Sequence, residues 1–395
     1  MFDPSKLPIG WQVRKLPEVL EFLPGKAHEP YIADGGEYTV ANSKFVSTRG
    51  SVRKFATKNV SPAVTGDVLV VMSDLPNGRA LGKAYLVAEG EKIAVNQRVC
   101  ALRTKYGEPA FYYYQLDRSK YFLSFNDGIN QTHLLNPVFE NCPIVVAPLA
   151  EQRKIAAILR TWDEALEKLQ TLRTLKAKRL EGLAQRLLGR GGVFPGKWSL
   201  MPLSEIATRV RRQNGGGNHP VMTISARSGF LMQSDKFARD MAGTSVDRYT
   251  LLHEGEFAYN KGNSLAALYG CIYRLDRPTA LVPFVYFCFA LKPEHDHGFY
   301  EHLFAAGALN HQLSRLINSG VRNDGLLNLN VEDFFGCKIP VPPLDEQRRI
   351  ALALSAAKQE LALLDKEIIV LTRQKRGLMQ KLLTGEWPVQ VEDAA

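Results

Sequence analysis

The feature that most limits what this chain can fold into is a repeat. Residues 146–156 read VAPLAEQRKIA and residues 341–351 read VPPLDEQRRIA, an offset of 195 that holds without a gap for nearly forty further residues. Leu166, Leu169, Gly182, Leu183, Gln185, Leu187 and Leu188 meet Leu361, Leu364, Gly377, Leu378, Gln380, Leu382 and Leu383, and just upstream Phe139 and Cys142 meet Phe334 and Cys337. Fainter matches reach further back. Trp11, Leu16 and Glu18 resemble Trp198, Leu203 and Glu205, and Gly66–Asp67–Val68 resembles Gly255–Glu256–Phe257. The aromatic stretch PAFYYYQL (109–116) resembles PFVYFCFAL (283–291). Self-similarity on this scale means two similar units in tandem, each a variable globular part followed by a nearly invariant helical part.

The helical parts carry heptad seams. Ile350, Leu354, Ala357, Leu361, Leu364, Ile368, Leu371, Lys375, Leu378 and Leu382 are spaced alternately four and three apart, as a coiled-coil stripe requires. The first copy gives Ile155, Leu159, Trp162, Leu166, Leu169, Arg173, Lys176, Leu180, Leu183 and Leu187; Leu172 and Leu175 flank its two charged positions, so the seam is expected to slip there. Each helix starts after a proline with a carboxylate in its first turn and stops at a glycine, Gly189 or Gly385. For the second seam to pack along the first, the second helix must run back antiparallel. The expected fold is α+β: two mixed α/β heads separated by an antiparallel two-helix coiled coil, an internal pseudo-twofold tandem repeat. The expected boundaries are 1–147 for the first head, 148–190 for the first helix, 191–342 for the second head, and 343–395 for the second helix and tail. A single seam would read as a generic coiled coil; two at one offset, each after a similar head, favour the dumbbell. Within the heads, Gly66–Val71 and Phe257–Tyr259 read as strands, and Pro109–Leu116 and Pro283–Leu291 as buried helices.

Fifty Lys and Arg against forty Asp and Glu leave a net charge of +10, which favours a polyanionic partner, nucleic acid above all. The five cysteines are odd in number and form no CxxC pair, against a disulfide framework or zinc ribbon and for a reducing compartment. The N-terminus has no signal-like apolar core, and the longest apolar run, 280–291, is too short for a bilayer. A soluble, cytoplasmic protein with no membrane partner is expected.

Catalytic motifs are missing. Asn136–Pro137–Val138–Phe139 is close to the loop by which adenine methyltransferases hold a target amino group, but its third residue is Val, and the equivalent positions 331–334 discard it; an ordinary turn before the last strand is the preferred reading. No GxxxxGK[ST] and no Glu-x-Lys occurs. His295, His297, His302 and His311 fit no standard ligand spacing and have no counterpart in the first half, so no metal site is expected.

The phrase P-L-x-E-Q-R, followed by a long helix and present twice at this spacing, resembles the specificity subunit of type I restriction–modification enzymes. The likeness covers essentially the whole chain, and residues 325–347 (GLLNLNVEDFFGCKIPVPPLDEQ) follow the family pattern closely. The first copy departs from it with Ala147 and Ala150, which leaves the start of that helix open. The resemblance implies a non-catalytic subunit. Its heads would be target-recognition domains, each reading one half of a bipartite, asymmetric site on double-stranded DNA. Its helices would set the half-site spacing and dock two adenine-methyltransferase (modification) subunits, with restriction/translocation subunits joining them. S-adenosylmethionine, ATP and Mg would belong to those partners, and no cofactor to this chain. A protein-binding coiled-coil scaffold, a stand-alone enzyme and a repressor are the competing readings; the first would lack salt-sensitive DNA affinity, the second lacks its motifs, and the third needs no shared docking seam.

DNA contacts come from Lys and Arg on phosphates and from Arg, Lys, Asn, Gln, Ser and Thr on base edges. Three regions offer them: Lys44, Ser47, Thr48, Arg49, Arg53 and Lys54 within 43–54; Arg209, Arg211, Arg212, Asn214 and Asn218 beside the glycines 215–217; and Arg227 with Lys261 and Asn263. Each reads equally as a solvated loop. Residues 151–190 add ten Lys and Arg against five Asp and Glu, either facing phosphates between the half-sites or forming a solvated helix face.

Overall fold

A computed structural model describes residues 7–75, 78–189, 198–236, 248–262, 265–317 and 326–391. It divides into two compact units, Met1–Gln170 with Glu367–Ala395, and Thr171–Lys366. Each therefore holds one head, part of the long helix Leu149–Leu188 and part of the long helix Leu344–Leu383, each helix being 40 residues.

In the first unit, strand Gln12–Lys15 pairs antiparallel with Pro143–Val146, the strand that leads into the first long helix. An antiparallel four-stranded sheet runs in the order Leu20–Pro24, Val99–Thr104, Val68–Val71, Ala84–Leu86. Helix Pro109–Leu116 buries Phe111, Tyr112 and Leu116 in one core with Val68, Val70, Leu102, Ile155 and Leu159 of the first helix, and Leu382 and Leu383 of the second. The second unit repeats the plan. Ser199–Pro202 pairs with Lys338–Val341, and the sheet order is Ala207–Arg209, Phe287–Leu291, Phe257–Asn260, Cys271–Arg274. Helix His297–Ala305 buries Phe299, Tyr300 and Leu303 with Phe257, Phe289, Leu187, Ile350 and Leu354.

The heads differ away from this shared core. The first carries a second four-stranded sheet in which Tyr38–Ala41 runs parallel to Ile93–Val95. The second carries two separate antiparallel pairs, Met222–Ser225 with Gly229–Met232 and Thr250–His253 with Thr279–Val282. Each has its own satellite core. Mixed heads on antiparallel helix segments, built twice, are the expected α+β class.

Two local expectations are corrected. Residues 283–291 contain a strand, Phe287–Leu291, where a helix was expected. Phe287 and Phe289 pack into the main core and Cys288 into the satellite core, so both faces are buried and the apolar run loses the alternation that marks a strand. The true counterpart of Pro109–Leu116 is His297–Ala305. Nor does the seam slip. Leu172 and Leu175 point outward, while Arg173 Nε lies 2.9 Å from Asp365 Oδ1 and Lys176 pairs with Glu360. Carboxylates on the facing helix replace the missing leucines, and the register continues. In the first unit the seam residue Lys375 is treated alike: its Nζ is 2.6 Å from Asp163 and sits 5.2 Å above the Tyr114 ring. The apolar seam positions Ile155, Leu159, Trp162, Leu166, Leu169, Leu180, Leu183, Leu187, Ile350, Leu354, Leu361, Leu364, Ile368, Leu371, Leu378 and Leu382 are all buried or half-buried.

The repeated Glu-Gln explains why the helices start where they do. Trp11 Nε1 donates to Glu151 Oε2 at 3.0 Å, and Trp198 Nε1 to Glu346 Oε1 at 2.9 Å, tying each helix to the residue just ahead of the first strand of its head. Gln152 Nε2 donates to Ala147 O (2.7 Å) while its Oε1 accepts from Glu108 N (2.8 Å). Gln347 does the same with Pro342 O (2.8 Å) and Asp296 N (2.9 Å). One buried amide thus satisfies a carbonyl ahead of the long helix and an N–H ahead of the aromatic helix, groups that would otherwise be stranded. Ala147 and Pro342 serve equally because only their carbonyl is used, and the altered residues of the first copy leave its helix start intact.

Candidate nucleic-acid interface

The segment 43–54 opens as helix Ser43–Ser47, capped by Asn42 Oδ1, which accepts from Phe45 N at 2.9 Å. Phe45 buries completely and anchors the turn. The Thr48 and Ser47 hydroxyls close it by donating to Lys44 O at 2.7 and 3.2 Å. Arg49 takes a left-handed backbone (φ 50°) and reaches Asp163 at 3.4 Å, a carboxylate shared with Tyr114 Oη at 2.9 Å and with Lys375. Burial and that carboxylate push the Tyr114 phenol well up. Arg53 donates to Gly50 O, pairs with Glu91 at 3.4 Å and lies over the Phe45 ring. Lys44 and Lys54 are exposed and have no ion pair among the described residues.

In the second unit Arg212 clamps Glu256 through two bonds of 3.2 and 3.1 Å and also donates to Leu251 O. Glu256 accepts in turn from His253 N. Asp67 in the first unit accepts from Val64 N and takes a two-pronged pair from Arg103 at 3.0 and 2.9 Å. The Gly-acid step noted in both halves is therefore a turn closed by its carboxylate, with an arginine over it. Arg209 is half-buried on an edge strand, where burial first and the neighbouring Arg211 second lower its pKa. Arg211, Asn218 and Arg227 are exposed; Asn214 is half-buried, and its Oδ1 has no hydrogen-bond partner among the described residues. Lys261 Nζ sits 5.1 Å above the Phe287 ring. Asn263 lies outside the described residues.

The structure thus separates the candidates. Arg49, Arg53 and Arg212 are committed to internal carboxylates, while Lys44, Lys54, Arg211 and Arg227 keep their charge toward solvent. It also adds residues that the sequence reading passed over. Lys44 shares a depression of about 280 Å³ with Glu29, Asn42, Asn96, Gln97 and Arg98. Asn96 donates to Glu29 Oε1 at 3.1 Å, and that bond holds the Glu29 carboxyl below its ordinary range. Gln97 and Arg98 sit exposed on the turn between two strands; a polar Asn-Gln-Arg step between apolar runs was the signal available.

The histidines are used in packing: His297 stacks on Phe257 at 6.2 Å, His302 Nε2 lies 2.9 Å from Ser355 Oγ, and His295 meets Tyr300 edge-on. Among the described residues no group of three or more His, Cys, Asp or Glu is placed to hold a metal, and no helix is long and apolar enough to cross a membrane. The residues 136–139 form the start of a five-residue helix, Asn136–Glu140, before the last strand of the head.

The fold is that of a tandem of mixed α/β heads on long helices, and comparison with known proteins gives its class. Residues 8–177 match the family model described as the type I restriction modification DNA specificity domain. The MjaVIII type I restriction enzyme specificity subunit of Methanocaldococcus jannaschii is 21% identical over 96% of this chain and 94% of the relative. The crystal structure of the type I restriction–modification S subunit from M. genitalium superposes with a TM-score of 0.60 at 17% identity, over 98% of each chain. A chain from a study of complex assembly and conformational transition of the type I R-M system gives 0.52 at 16% identity, over 97% of this chain and 100% of that one. These likenesses agree with the resemblance drawn from the doubled motif: residues 8–177 are similar to the type I restriction modification DNA specificity domain, and the fold of the whole chain is similar to that of a solved type I S subunit.

Proposed function

We propose that the chain is the DNA sequence-specificity subunit of a type I restriction–modification complex in the cytoplasm. Residues 1–147 and 191–342 act as two target-recognition domains, each reading one half of a bipartite, asymmetric target in double-stranded DNA. The helical segments 148–190 and 343–395 set the half-site spacing and dock two adenine-methyltransferase subunits, to which restriction/translocation subunits add. S-adenosylmethionine, ATP and Mg act on those partners.

The observation that carries this reading is a division within each unit. The sheet next to the helices, the Glu–Trp and Gln bonds and the seam are the same in both. The distal parts, a sheet with a parallel pair in one and two antiparallel pairs in the other, are not. Two equal attachment points beneath two different reading heads suit identical partners on a split, asymmetric sequence. The positive balance of the chain supplies the sequence-independent part of DNA affinity.

The test is to co-express this chain with the methyltransferase subunit of its system and map N6-methyladenine by single-molecule sequencing. One gapped motif, absent without this chain, is expected. An assembled complex that methylates nothing in a specific sequence would reject the proposal.

A further inference from the structure

The residues identical in the two copies at the 195 offset can be sorted by what each does inside its own unit. Glu151 and Glu346 hold the tryptophans, and Gln152 and Gln347 bridge two backbone groups. Ile155, Leu159, Ile350 and Leu354 are core. Arg153 and Arg348 do none of this. Both are exposed, and neither makes a hydrogen bond or ion pair among the described residues. Four positions earlier, on the same helix face, stand Leu149, 44% exposed, and its half-buried equivalent Leu344. The next residue is again basic in both copies, Lys154 and Arg349. Cations this near a helix N-terminus oppose its dipole, so helix stability does not call for them.

We propose that Arg153 with Leu149, and Arg348 with Leu344, form one docking surface in each unit for a partner protein that offers a carboxylate beside an apolar seat. The argument for a protein is the pairing itself. An arginine fork matches a carboxylate through two parallel bonds, and a leucine next to it that is exposed (Leu149) or half-buried (Leu344) gains from a dry protein surface and nothing from a phosphate. The argument for two copies of one partner is that the same two residues recur in both units while the heads' distal parts differ. Resting on the function proposed above, that partner is the methyltransferase subunit, and these arginines are the energetic centres of its contact.

The experiment uses the full chain with Arg153→Ala and Arg348→Ala, singly and together, titrated with the methyltransferase subunit and counted by native mass spectrometry. The wild-type chain is expected to take two copies. Each single variant should hold one copy at full affinity and the other weakened roughly tenfold or more, as truncation of an interface arginine does. The double variant should weaken both, with melting temperature unchanged throughout. Two copies at unchanged affinity in every variant would overturn the inference and leave the specificity-subunit reading standing. Intact assembly with weakened, less salt-dependent DNA binding would also overturn it, by assigning the arginines to phosphates. A wild-type chain that takes no methyltransferase would overturn both the inference and the reading beneath it.

Discussion

Gln347→Ala is the sharpest single perturbation of the repeated motif. Gln347 is 1% exposed and joins Pro342 O, ahead of the long helix, to Asp296 N, ahead of the aromatic helix. Alanine removes both bonds and leaves a small void. The Pro342 carbonyl bond is fully buried, so stranding that group costs about 1–3 kcal/mol. The Asp296 N–H is only partly buried, and water recovers some of its loss. With the void the total is about 2–4 kcal/mol. For a unit of this size, about 2–4 °C of melting temperature goes with each kcal/mol, so the transition of the second unit should fall by roughly 5–15 °C. Arg348→Ala, one residue on, is the control: exposed and without a hydrogen bond or ion pair among the described residues, it should change stability by less than about 0.5 kcal/mol. Differential scanning calorimetry of the full chain, with the two transitions assigned by Gln152→Ala in the first unit, gives the readout. If Gln347→Ala and Arg348→Ala melt together at the wild-type temperature, the amide does not hold the helix start and the reasoning fails.

The other substitutions test separate links. Trp198→Phe puts a smaller aromatic ring at the site and takes from the buried Glu346 carboxylate its 2.9 Å donor, which should cost about 1.5–3 kcal/mol in urea denaturation; an unchanged midpoint would mean that the bond does not help to hold the helix start. Lys44→Ala and Arg98→Ala should each weaken DNA binding and lower the salt slope by about one, with melting unchanged, whereas Arg212→Ala should lower the melting temperature because it breaks the two-pronged pair with Glu256. Fluorescence anisotropy against salt and a thermal melt read both; equal stability losses from all three would contradict the separation of free from committed cations. His295, His297 and His302 all have pKa values lowered chiefly by burial, so the unfolded chain takes up protons first as pH falls below 6.5. Stability of the second unit is therefore full above 6.5 and declines as pH falls toward the lower folded values, and its melting temperature at about pH 5.5 should lie below that at about pH 7.5; an unchanged or higher value would reverse the sign of the argument.

What the sequence made legible follows from the range of each interaction. The seams could be read because heptad spacing is a property of one helix, and the helix starts because a proline and a first-turn carboxylate are local signals. The partners of the motif's Glu and Gln could not be read: Trp11 is 140 positions from Glu151, and Asp296 is 51 from Gln347. The same limit misassigned Phe287–Leu291, where two cores on opposite faces erased the alternation of a strand. It also hid the fate of the arginines. Arg49 and Arg212 look alike in sequence to Arg211 and Arg227, and only the fold brings Asp163 and Glu256 against the first two.

That sorting bears on recognition. An arginine tied to a carboxylate in the free protein must give up that bond before it can meet a phosphate or a base, so Arg49, Arg53 and Arg212 are poor starting points for affinity. Lys44, Arg98, Arg211 and Arg227 pay no such exchange. They lie on the distal parts of the heads or on loops beside them, where the two copies differ in fold. Within the shared frame, by contrast, the unclaimed cations Arg153 and Arg348 are the same in both copies. If free charge marks where partners bind, a split of this kind predicts that chimeras exchanging only distal segments will change the methylated sequence while leaving methyltransferase stoichiometry at two. A chimera that altered the stoichiometry would place partner contacts in the distal parts and break the link between shared residues and shared partners.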